Sequence, residues 1–156
     1  MKRVLGITLA VLAMAAIAFG ADNTLGTWKY NAGKSKPAAG VSPITNLTVT
    51  KEAADGGAKS SAKGERADGS KIDTVTTAKY DGKEVAVTGT GLLFDTTAIK
   101  QVNANTLTEE RSKKSGKYHS TIRTVVSADG KTMTSTAKGT GADGKAFTSV
   151  TVFDKQ

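Results

Sequence analysis

A chain of 156 residues with no cysteine, a single histidine and only 5% aromatic residues has no material for disulfides, thiolate metal sites or multi-histidine metal centres. Its formal charge of +8 raises the question of a polyanionic partner, but Lys29, Lys34, Lys51, Lys63, Lys83, Lys117, Lys131, Lys145 and Lys155 are scattered and never interleave with aromatics. They read as a solvated surface that also blunts strand edges, so nucleic-acid binding is not expected.

The chain opens with MKRVLGITLAVLAMAAIAFG, residues 1–20. Lys2 and Arg3 precede an uncharged apolar run that ends in small residues at Ala18 and Gly20. This is the layout of a secretory signal peptide, with cleavage expected before Ala21. The alternative is a transmembrane anchor, since residues 4–20 are just long enough to span a bilayer, but the small-residue end favours cleavage. The expected product is a soluble periplasmic or secreted protein with no further membrane span, formed by one domain over residues 21–156. Removing Lys2 and Arg3 lowers the formal charge from +8 to +6. A chain of this size buries roughly two-thirds of its extended surface on folding, enough for one core.

Beyond residue 21 the sequence is punctuated by glycines that follow Asp or Ser. Gly56, Gly69, Gly82, Gly116, Gly130 and Gly144 are spaced by 13, 13, 34, 14 and 14 residues. Asp-Gly is a strong hairpin signal, and the expected turns are of type I′, with positive φ at both central residues. Each interval leaves about ten residues for a strand, or roughly 30 Å of extended chain. The long central interval has its own breaks at Gly89-Thr90-Gly91 and Asn103-Ala104-Asn105. Ten strands are predicted, over 24–30, 44–52, 58–66, 70–80, 83–88, 96–102, 105–113, 117–127, 131–139 and 145–154. They are rich in Thr, Val, Ile and aromatics, whereas the segment Asn31 to Pro43 reads as loop because of Pro37, Gly40 and Pro43.

Intervals this short leave no room for crossover helices, so successive strands must be antiparallel neighbours. The fold class is all-β, an up-and-down meander. An open meander of this length would leave two edges and one large apolar face; closing it into a barrel of eight to ten strands removes both. Alternation agrees. Tyr118, Ser120, Ile122, Thr124 and Val126 share one face of their strand, opposite His119, Thr121 and Arg123; Met133, Ser135 and Ala137 share a face of the next. Neither face carries the bulky apolar band of a lipid-facing barrel, which argues against an outer-membrane barrel.

The stretch LGTWKYNAGKSK, with Gly26-Thr27-Trp28 just inside the first strand, resembles the Gly-x-Trp signature of lipocalins and the similar motif of intracellular fatty-acid-binding proteins. Together with KYDGKE and VVSADGKTMTSTAKGTGADGKAF, it is similar to a family of small, exported, uncharacterised bacterial proteins. The resemblance implies a lipocalin-like (calycin) barrel. It also implies that Trp28 closes the barrel floor and stacks against an arginine from a late strand, with Arg123 the first candidate and Arg111 the second. Two departures stand out: no helical pair follows the first strand, and the sequence ends within a few residues of the last.

The chemistry-bearing residues do not gather. His119 is alone. Glu109 and Glu110 are adjacent and so point to opposite faces. Asp55, Asp68, Asp81, Asp129 and Asp143 are accounted for by turns. No serine sits in a nucleophile elbow. Neither a cofactor nor an enzymatic activity is expected. One segment departs from the polar rule: Leu92, Leu93 and Phe94 follow Gly89 and Gly91 consecutively, and three residues in a row cannot all face inward from a strand. A core plug is the first reading, and an apolar lip at the barrel mouth that meets a hydrophobic ligand is the sharper alternative. The first functional expectation is an exported, monomeric, non-enzymatic carrier of a small hydrophobic molecule, with Leu92, Leu93, Phe94, Tyr118 and Ile122 as candidate contacts. The alternative is an envelope protein-interaction or inhibitor module that uses loops or a sheet edge.

Overall fold

The computed structural model describes residues 21–156, so the expected signal peptide lies outside the described residues. The described residues form eleven strands: β1 (Gly26–Tyr30), β2 (Ile44–Ala54), β3 (Gly57–Arg66), β4 (Lys71–Lys79), β5 (Asp81–Ala86), β6 (Thr88–Thr90), β7 (Thr96–Asn103), β8 (Thr106–Ser112), β9 (His119–Val126), β10 (Thr132–Thr140) and β11 (Ala146–Lys155). One 3-10 turn, Ala32–Lys34, interrupts the otherwise irregular segment between β1 and β2. Among the described residues no helix is long and apolar enough to cross a membrane.

All pairings are antiparallel, and the sheet runs β5-β7-β8-β9-β10-β11-β1-β2-β3-β4-β6. The first strand pairs with the last (Trp28 opposite Lys155), which bends the meander into a nearly closed barrel. Eleven strands replace the expected eight to ten, and the additional one is β6. Its three residues, Thr-Gly-Thr, carry no strand signal of their own. Gly89 adopts φ +125°, and a Cβ there would lie 2.0 Å from the carbonyl oxygen of Asp73. Glycine is what lets this backbone reach β4.

The two ends of the sheet belong to one continuous segment. Residues 81–86 pair with β7 (Ala86 opposite Thr96), and after Val87 residues 88–90 pair with β4 (Thr88 opposite Val75). The barrel therefore closes along a split seam that a side chain bridges, Thr76 Oγ1 donating to Ala86 O (3.0 Å), while Thr88 Oγ1 adds a bond to Val75 O (3.1 Å) within the β4–β6 pair. Among the described residues no backbone ladder joins β4 to β5.

The turns are correctly placed but of a different type. Among the described residues no non-glycine residue has positive φ, which excludes type I′. The glycine alone takes the left-handed position and closes a four-residue turn, as in Gly130 N to Ser127 O (2.9 Å) and Gly144 N to Gly141 O (2.9 Å). The preceding aspartate accepts the amide two residues on, Lys131 N to Asp129 Oδ1 (3.0 Å) and Lys145 N to Asp143 Oδ1 (3.0 Å). The repeated Asp-Gly-Lys triplet is thus an Asp-capped turn with one left-handed glycine.

Apolar packing is split. Trp28, Leu47, Ile72, Val126, Met133 and Phe153 form one buried cluster; Ala78, Ile99 and Leu107 form a smaller one. Between them the barrel is hollow.

Candidate functional site

An up-and-down meander places alternate connections at the same end. One end gathers the segment 31–43 with the connections 67–70, 91–95, 113–118 and 141–145; the other gathers the short turns at 55–56, 104–105 and 127–131. Residues Ala21 to Leu25 are stitched across that second end. Asn23 N donates to Ala104 O (2.8 Å), and Gln101 Nε2 to Ala21 O (3.2 Å). Tyr80 OH donates to Asp22 Oδ2 (2.6 Å), and the fully buried Trp28 donates Nε1–H to Thr24 O (2.8 Å). Trp28 thus belongs to the barrel floor. The cation over its ring is Lys155, with Nζ 5.0 Å from the centroid. Arg123, the expected partner, is exposed on the outward face of β9, because period-2 alternation sends it opposite Ile122 and Thr124. Lys155 takes the place because β11 pairs directly with β1.

Inside lies a cavity of about 920 Å³, open at the end formed by the long connections. Leu92, Leu93, Phe94, Tyr118 and Ile122 all line it. Leu92 and Phe94 are half-buried and Leu93 is 36% exposed, which places all three at the rim on the β6–β7 connection. Ile122 and Tyr118 are buried in the wall. At the mouth the aromatic rings form a row: Phe94 stacks on Tyr118 (centroids 6.1 Å, 23°), and Tyr118 on Phe147 (5.8 Å, 27°). The guanidinium of Arg111 lies over the Phe94 ring, 4.5 Å from its centroid. Arg111, the second candidate for Trp28, therefore stacks on Phe94.

The feature missing from the sequence reading is a column of charge inside the barrel. Lys51, Glu109, Arg111 and Thr97 all line the cavity. Arg111 binds Glu109 bidentately, with Nε to Oε1 at 2.7 Å and Nη2 to Oε2 at 2.9 Å, and Thr97 Oγ1 donates to Glu109 Oε1 (2.6 Å). Lys51 lies nearer the floor and donates to Thr24 Oγ1 (2.9 Å). Lys51, expected on the solvated surface with the other lysines, lies inside the barrel. The signal was present in the alternation. Leu47, Val49 and Lys51 share one face of β2, and Leu107, Glu109 and Arg111 share one face of β8, so whatever buries the leucines also encloses the charges.

Electrostatics follow from this enclosure. Burial alone would raise the Glu109 carboxyl, but the charge and hydrogen bonds of Arg111, the Thr97 hydroxyl and the charge of Lys51 outweigh it and hold it below the usual range. Burial works against the charged form of Arg111, and Glu109 more than restores it. Burial lowers the Lys51 ammonium, with Arg111 adding to the effect, while Asp22 and Glu109 oppose it without cancelling it. Tyr80 is pushed well above its ordinary value by burial first and its bond to Asp22 second. Among the described residues no buried side-chain polar atom lacks a hydrogen-bond partner. Among them, too, no three His, Asp or Glu side chains gather as a metal site would need.

No protein-family model matches the chain and no curated protein resembles it in sequence, so the likeness to small exported bacterial proteins finds no support. A solved structure does match in fold. The zebrafish ileal bile acid-binding protein, crystallised with cholic acid, superposes with a TM-score of 0.50 at 13% identity over 86% of this chain and 100% of its own.

Proposed function

We propose that the protein is a non-enzymatic carrier that holds one small amphiphilic molecule inside the barrel. The apolar body would lie along Leu47, Ile72, Ile122 and Met133, and the polar end would meet the column of Lys51, Glu109 and Arg111. The observation that carries this reading is the cavity itself: about 920 Å³, within the range of small-molecule sites, with an apolar wall and a few convergent polar groups. The neighbour in fold was solved with a bile acid, an amphiphile of this kind, which supports the same reading. The rim formed by Leu92, Leu93 and Phe94 would greet the ligand. The interaction-module alternative draws less support, because the strands at the two ends of the sheet, β5 and β6, are only six and three residues long and offer a partner strand little edge. The test is titration with an environment-sensitive apolar dye, displaced by cholic acid and by long-chain alcohols, together with native mass spectrometry. The expected result is one equivalent bound per monomer; failure of every probe to enter sinks the reading. Residues 1–20 would direct this carrier to the periplasm or the exterior, and protein recovered there should begin at Ala21 by intact mass.

A further inference from the structure

We propose that Lys51 is a carbonyl-capture site, binding an apolar aldehyde inside the barrel as a reversible imine. This rests on the carrier reading above and names the ligand chemistry of the same cavity. Three observations carry it. Lys51 lines the cavity, and the one hydrogen bond of its ammonium among the described residues is to Thr24 Oγ1 (2.9 Å), with no ion pair. Thr24 Oγ1 in turn donates to Asp22 Oδ1 (2.6 Å), so the amine is joined through a hydroxyl to a carboxylate. Asp22 is itself fixed by the Thr24 amide (2.8 Å) and the Tyr80 hydroxyl (2.6 Å), which hold the relay in place.

A lysine becomes nucleophilic when burial and a neighbouring cation disfavour its ammonium form. Both apply to Lys51, where burial is the larger cause and Arg111 adds to it. Lysines held in ion pairs on the outer surface, such as Lys79 with Asp55 and Lys71 with Glu65, have the opposite environment. The reaction balances without a co-reactant. The ammonium loses a proton along Thr24 toward Asp22, and the free Nζ lone pair adds to the carbonyl carbon. The first N–H proton of the adduct passes to the former carbonyl oxygen to give the neutral carbinolamine. Loss of the second N–H proton and departure of the hydroxyl as water leave the C=N bond. The sum is one aldehyde and one amine giving one imine and one water, and hydrolysis runs the same steps backwards to release the cargo.

The experiment incubates the folded protein with decanal near neutral pH, traps the product with cyanoborohydride, and maps it by peptide mass spectrometry. Decanol, which has the same chain without the carbonyl, is run in parallel as a dye competitor. The expected result is one reduced adduct on Lys51, formed faster than on any surface lysine. Lys51→Arg keeps the cation but cannot form an imine; with its melting curve showing a folded protein, it should lose that adduct. Asp22→Asn should shift the pH–rate profile of trapping. Adducts spread evenly over the surface lysines, or retained in Lys51→Arg, overturn the proposal. Decanol uptake without a Lys51 adduct overturns the capture chemistry and leaves the carrier standing. Exclusion of decanol as well overturns both.

Discussion

Glu109 and Glu110 are neighbours with opposite fates, and the difference is a single step of the pleat. Glu110 is exposed, whereas Glu109 is locked between Arg111 and Thr97 inside the barrel. Because the folded protein holds the Glu109 carboxyl below its ordinary 4.5, the ionised group contributes stability above that pH. The contribution is lost as pH falls through the depressed folded value. Glu109→Gln leaves Arg111 with a neutral partner and should cost about 1–2 kcal/mol at neutral pH, less than a dry buried pair because both groups reach the cavity. Melting curves should show that deficit shrinking as the pH is taken below 4.5, since acid removes from the wild type what the substitution removed already. A deficit constant across the acid range would mean that the pair is not what stabilises this wall.

Among the elements, β6 and the connection that follows it decide how the barrel shuts and what stands at its mouth. Gly89→Val places a Cβ on the Asp73 carbonyl in a backbone conformation that L side chains rarely adopt. The expected outcome is selective loss of the β4–β6 ladder, read as faster amide exchange in 71–75 and 88–90 while the β9–β10 amides stay protected. The β6–β7 connection distinguishes lip from plug. Leu92 and Phe94 are half-buried at the rim, so replacing both with serine should lower dye uptake several-fold while shifting the melting temperature only a few degrees. A collapse of the melting transition would assign them to the core instead. The rim was legible as an anomaly, three apolar residues between glycines and an aspartate; β6 was not, because a three-residue strand centred on glycine has no period to detect.

At the scale of the whole molecule, the barrel is hollow and its two apolar clusters are unequal. The larger draws on both the first and the last strand, through Trp28 of β1 and Phe153 of β11. The smaller, Ala78, Ile99 and Leu107, borders the seam where β4 and β5 share no ladder. Cooperative openings start where buried apolar contact and backbone pairing are sparse. Native-state exchange should therefore show β5, β6 and the outer half of β4 opening at lower free energy than β1, β10 and β11. Uniform protection around the barrel would contradict a weak seam. A ligand held in the cavity would touch both clusters, so binding should narrow the gap between the two sides.

Turn chemistry and alternation are local properties, and the sequence alone determined what depends on them. The all-β meander, ten of the eleven strands to within a few residues, the inward face of β9 and β10, and the separation of Glu109 from Glu110 all follow from Asp-Gly punctuation and a period of two. Closure is not local. Which cation lies over Trp28 depends on the pairing of β1 with β11, and this favours Lys155 over Arg123. Whether a lysine on an apolar face meets water or the inside of a barrel depends on the curvature of the whole sheet. The charged column and the cavity came into view only when the ring was drawn shut, because enclosure is a property of all the strands together and of no one strand by itself.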